Sequence, residues 1–152
     1  MYQAEHVANT VIYTARKAGQ KISMTKLQQI MYLVYAEYYK LTNSQLFMNK
    51  FEAWTYGPVI TEIYYAYVNT FGKETTKDLR TYIPDLKTCL PPYQKKDDML
   101  IQALTTVWDE YGKKTINELC KITKAQNSAW YKAIQNNQRF LNEEDIKQEI
   151  IN

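Results

Sequence analysis

From Thr25 to Leu41 apolar and aromatic residues recur at helical spacing. Leu27, Ile30, Met31, Val34, Tyr38 and Leu41 fall on one face, and Tyr32, Tyr35 and Tyr39 form a second row beside it. Only Lys26, Gln28, Gln29, Glu37 and Lys40 are clearly polar, so the helix is apolar over most of its circumference. Such a helix belongs in the middle of a domain. Tyrosine has one apolar end and one that stays wet, so second-row rings could also meet a partner protein.

The same periodicity places other helices around it. Ala4, Val7, Ala8, Val11, Ala15 and Ala18 make the buried stripe of a helix over Tyr2 to Ala18, with Gly19 as its stop. Ser23 or Thr25 caps the central helix, and Thr25 with Gln28 fits a capping box. Phe51 to Tyr56 alternates like a short extended segment. After Gly57, Pro58 suits the first position of a helix bearing Ile60, Ile63, Tyr64, Tyr67, Val68 and Phe71, with Glu62 in its first turn and Gly72 at its end.

Lys73 to Lys96, with Pro84, Pro91 and Pro92, reads as a long connection holding at most one short element. Leu100, Leu104, Val107, Trp108 and Tyr111 define a helix over Asp97 to Gly112. Thr115 and Glu118 form a capping box before Ile116, Leu119, Cys120 and Thr123. Asn127 or Ser128 caps a helix carrying Trp130, Ala133 and Ile134, and Asn142 caps a last one with Ile146 and Ile150 inward. The expectation is an all-α single-domain bundle of about seven helices over residues 1–152, with one short extended segment near 51–56.

Composition narrows the function classes. No apolar run is long enough for a membrane span, and the first ten residues lack the basic-then-apolar order of a signal peptide. A cytoplasmic protein is expected, with Cys89 and Cys120 as free thiols. The net charge of +3 comes from 19 basic and 16 acidic residues that are interspersed, without a basic stripe. Five basic and two acidic residues in the first 40 are the one motive for the alternative, a regulator that binds nucleic acid. The 14 tyrosines against 4 glycines and 4 prolines favour helices and leave rings for an interface.

Candidate chemistry is sparse. The sequence has no Cys/His cluster, no phosphate-binding glycine loop and no nucleophile elbow. Its acidic pairs fall at helix ends or on polar faces. The residues to watch for an unrecognised site are His6, Lys124, Asp109 and Glu110. A protein without catalytic groups, cofactor or metal is expected.

The run Leu27-Gln28-Gln29-Ile30-Met31-Tyr32, then Leu46-Phe47, then Glu52-Ala53-Trp54-Thr55-Tyr56-Gly57-Pro58-Val59 resembles the Panacea domain of SocA-like antitoxins, also called phage-associated GepA-like proteins. The family pattern is roughly LQKLLYF, a spacer and EAW-x-x-GPV, followed by a helix with an aromatic near its start, here Tyr64. Val107 to Gly112 looks like the family's V-x-x-x-YG, and Leu119 to Trp130 like its L-x-x-LTH-x-E-x-SPW. Lys124, Gln126 and Ala129 depart from that later motif, while Leu119, Thr123, Ser128 and Trp130 retain it.

The resemblance implies packed helices and neutralisation of a toxin protein encoded nearby. Family partners are chemically diverse, and many act on translation. Some members carry an added DNA-binding region, for which no room is expected here. A homo-oligomer is compatible with this reading. Tyr35, Tyr39, Trp54, Tyr56 and Tyr65 are the expected toxin contacts; Leu27, Gln28, Glu52, Ala53, Gly57, Pro58, Val59, Thr123 and Trp130 are motif residues expected to shape the fold.

Overall fold

The fold comes from a computed structural model that describes residues 1–74, 79 and 97–149. Cys89, Ile150 and most of the Lys73 to Lys96 connection lie outside the described residues. Within them are seven helices and one two-stranded sheet. In chain order these are α1 (Ala4–Lys17), α2 (Met24–Thr42), β1 (Glu52–Trp54), β2 (Gly57–Val59), α3 (Thr61–Phe71), α4 (Asp98–Tyr111), α5 (Ile116–Thr123), α6 (Ala129–Gln135) and α7 (Glu143–Gln148).

Helix α2 is the hub. It touches α1, α4, α5, α7 and β2. From Met24 to Ala36 every residue except Lys26 is buried, Gln28 and Gln29 included. Lys26 sends its ammonium to the carbonyl of Gly112 at 2.6 Å, at the C-terminal end of α4, where a cation is favoured.

The second row of tyrosines on α2 is part of the core. Tyr32 and Tyr35 are buried and meet Phe47 and Phe51 from the following loop, with ring centroids 4.9 to 5.2 Å apart. Such ring pairs add about 0.5–1.5 kcal/mol each beyond the area they bury. A buried phenol also needs a hydrogen-bond partner. The Tyr35 hydroxyl donates to Glu143 at 2.7 Å, and that of Tyr32 donates to Glu149. Two carboxylates from the α7 segment therefore pin it against the central helix.

Helix ends follow local chemistry. Ser23, not Thr25, caps α2 by accepting from the Lys26 N–H at 3.2 Å, so Thr25 lies inside the helix and its expected capping box does not form. The Thr115–Glu118 box does form. Ser128 caps α6 and Asn142 caps α7. Helix α1 is shorter than expected because Tyr2 is drawn away: its N–H donates to the Leu46 carbonyl at 2.9 Å. Gly19, at φ 69°, reverses the chain after α1, with Gln20 N–H bonded to Ala15 C=O and Gly19 N–H to Arg16 C=O. That reversal leaves Ala18 exposed, so the buried stripe ends at Ala15.

The extended segment is one arm of a hairpin. Glu52 pairs with Val59, Ala53 with Pro58 and Trp54 with Gly57. Pro58 therefore sits in β2 and not at the start of a helix; α3 begins at Thr61, with Ile60 as its cap. The missing N–H of Pro58 is tolerated in so short a ladder. On its other side β1 is continued by residues 139–141: Ala53 N–H donates to Arg139 C=O and Leu141 N–H to Phe51 C=O, both at 2.9 Å.

Candidate functional site

The hairpin is held from three sides. Gln28, buried in α2, donates from Nε2 to the Ile60 carbonyl at 3.0 Å and accepts the Ile60 N–H on Oε1 at 2.9 Å. Cys120 of α5 donates its thiol to the Tyr56 carbonyl at 3.2 Å. Trp130 of α6 donates its indole N–H to the Trp54 carbonyl at 2.7 Å. Cys120, expected as a free thiol, is half-buried, and burial pushes its thiol up.

Gly57 turns the chain with φ 133°, a conformation that L side chains rarely adopt. An added Cβ would also stand 3.2 Å from Thr123 Oγ1, whose hydroxyl donates to the Leu119 carbonyl. Two motif positions far apart in sequence thus meet at one turn. Glu52, almost buried, accepts from the exposed Arg139 Nε at 2.8 Å, which fastens the 139–141 segment beside β1.

This framework presents a row of rings. Trp54 packs edge-on against Tyr64 of α3 at 4.8 Å and against Tyr56 at 6.4 Å, and Tyr64 packs edge-on against Tyr65 at 5.4 Å. Trp54, Tyr56 and Tyr64 are half-buried, whereas Tyr65 is 58% exposed. Burial raises the Tyr56 hydroxyl above its ordinary range, so it stays protonated. Lys124 lies over the Trp130 ring at 5.0 Å, giving this departure from the family motif a local cation–π contact.

Of the expected toxin contacts, Trp54, Tyr56 and Tyr65 are brought together here. Tyr35 is not at a surface: it is wholly buried, and its hydroxyl is committed to Glu143. Tyr39 belongs to another group, at the C-terminal end of α2 beside Tyr2 and Asp97. Tyr64 was expected as a stripe residue of α3 and as the family's aromatic near that helix's start, and its place as the link between Trp54 and Tyr65 depends on the hairpin. The motif residues Leu27, Gln28, Glu52, Gly57, Pro58, Val59 and Thr123 are buried, while Ala53 and Trp130 are half-buried.

The watched polar residues do not assemble. His6 is on α1, Lys124 is over Trp130, and Asp109 and Glu110 are exposed on α4. Among the described residues no group of three His, Cys, Asp or Glu side chains could hold a metal ion, and no helix is long and apolar enough to cross a membrane. What the geometry offers is a row of partly exposed aromatic rings whose backbone is anchored from three helices.

Residues 27–131 match the family model described as "Antitoxin SocA-like, Panacea domain". The matched span runs from α2 to α6 and contains the hairpin with all three of its anchors. No curated protein and no solved structure gives a significant match.

Proposed function

We propose that this chain, which belongs to the SocA-like antitoxin family built on the Panacea domain, neutralises a toxin protein by direct contact through its aromatic hairpin face. The observation that carries this reading is the continuous row Trp54, Tyr56, Tyr64 and Tyr65, held by backbone anchors on three helices. Tyr and Trp bury large areas at little conformational cost, and they dominate the energetics of many interfaces. Anchoring the backbone beneath them lowers the ordering cost of association.

In this mechanism the toxin docks on the outward rings, and Tyr65 is the most accessible anchor. Gln28, Gly57 and Thr123 shape the platform without touching the toxin. The test is co-expression with each adjacent open reading frame. One neighbour is expected to arrest growth alone and to be silenced by this chain, with Tyr65→Ala weakening the rescue. Finding no toxic neighbour, or full rescue by Trp54→Ala and Tyr65→Ala combined, rejects the proposal.

A further inference from the structure

Residues 139–141 continue β1 on the side away from β2, and their outer edge is open. The bonds to β1 come from the Arg139 carbonyl and the Leu141 N–H, which flank the Glu52–Phe140 pair. In an antiparallel pair of that kind the central residue turns its own N–H and C=O away from its partner strand. Those of Phe140 therefore face outward, and neither has a partner among the described residues. Every residue from Ile134 to Phe140 is exposed. Unpaired backbone at an exposed sheet edge is a template for one more strand.

The side chains around this edge are aromatic and cationic. Phe140 is 39% exposed, and Lys50 Nζ and the Arg139 guanidinium stand 5.6 and 5.0 Å from its ring centroid. Arg139 is fixed by its Nε bond to Glu52, which leaves its outer amino groups without a hydrogen-bond partner among the described residues. Its side chain is 72% exposed, whereas Glu52 is almost buried. Glu62, the second carboxylate here, has both oxygens engaged, by Asn49 and Thr61 at 2.9 Å. The free donors and charges beside Phe140 are thus positive. Glu52 and Phe140 stand opposite one another, so their side chains share a face of the sheet. Both line a concavity of about 350 Å³ together with Met48, Lys50, Glu62 and Arg139.

We infer that the outer edge of 139–141 receives an extended segment of a partner protein, which pairs with both backbone groups of Phe140 and carries an acidic side chain opposite it. On an added strand that position lies on the same face as Phe140, where Lys50 and Arg139 can flank the carboxylate. Backbone pairing supplies the attachment, and the alternate side chain supplies the selectivity. A second copy of this chain is a poor occupant. Two such edges paired about a two-fold axis would bring two Lys50 and two Arg139 side chains together, and like charges oppose pairing. Occupancy of this edge does not depend on the antitoxin reading.

The probe is an end-capped heptapeptide, Thr-Val-Thr-Glu-Thr-Val-Thr, titrated into the full nitrogen-labelled chain and followed by amide NMR. Saturable shifts are expected at Phe140 and Lys50. Lysine in place of the central glutamate should weaken binding about three- to fivefold. Methylating the glutamate amide nitrogen removes the donor meant for the Phe140 carbonyl and should abolish saturation. Lys50→Glu, a change at an exposed position, should remove the preference for the glutamate peptide over the lysine one. Absence of a shift at Phe140, equal binding of the methylated peptide, or equal affinity for the glutamate and lysine peptides overturns the inference. A Phe140 shift that follows protein concentration alone assigns the edge to a second copy and overturns it as well.

Discussion

Gln28 and Ile60 hold each other by two hydrogen bonds, the side-chain amide of one spanning the N–H and C=O of the other at 2.9 and 3.0 Å. The Gln28 side chain acts as a short piece of strand added to the end of the hairpin. Both residues are buried, so water cannot replace either bond. The Ile60 carbonyl also accepts the Tyr64 N–H of α3, but the Ile60 N–H has its bond to Gln28. Gln28→Leu fills the space and strands that donor, a cost of about 1–3 kcal/mol. Chemical denaturation is expected to show that loss; a neutral result would mean that the amide does not position the hairpin.

Gly57 carries two constraints, its φ of 133° and the 3.2 Å approach to Thr123 Oγ1. Gly57→Ala should destabilise by about 1–3 kcal/mol, mostly through the backbone. Adding Thr123→Ala relieves only the side-chain approach, so the double variant should recover a minor part. Complete recovery in the thermal melt would locate the whole problem at Thr123.

Tyr35 and Tyr65 should separate stability from binding. Tyr35→Ala opens the ring cluster with Phe47 and Phe51 and leaves Glu143 without its phenol, a loss of about 3–5 kcal/mol. Tyr65→Ala removes an exposed ring, so its melting temperature should hardly move while growth rescue falls. Paired unfolding and rescue assays decide it, and early unfolding of the Tyr65 variant would place that ring in the structural core.

A pH effect follows from Glu149. Burial raises its carboxyl from 4.5 to about 7, against the opposing pull of its hydrogen bonds from Tyr32 and the Ala129 backbone. Between those two values the folded chain keeps a proton that the unfolded chain has released. Stability therefore falls as pH rises through that window and levels off above it, by roughly 1–3 kcal/mol. Glu149→Gln, which stays neutral, should gain on the unmodified chain between about pH 5 and about pH 8. A gap between the two that does not change with pH would contradict the assignment.

Periodicity was enough to identify α2 as the hub, because a helix apolar on all sides has nowhere else to go. Ring position was harder to read. Tyr35 and Tyr39 share one row in the sequence, yet the partner that pulls Tyr35 inward is Glu143, 108 residues away. Pro58 follows a glycine and precedes a helix, so local chemistry favours a helix start; its pairing with Ala53 is a tertiary fact. Gln28 looked like half of a capping box because its partner, a backbone group 32 residues away, leaves no mark in residue identities. The hairpin itself was half visible, in the alternation of Phe51 to Tyr56.

The bonds from Tyr32 to Glu149 and from Tyr35 to Glu143 span 117 and 108 residues. On a translating ribosome the two phenols therefore emerge long before the carboxylates that receive them. At about 5–20 residues per second the wait is roughly five to twenty seconds. Until then the central helix has α1 beside it but lacks the α7 segment and the polar partners of its two buried phenols. The nascent protein is thus most exposed to aggregation, or to capture by a chaperone, at its own centre, and the α7 segment ends that period.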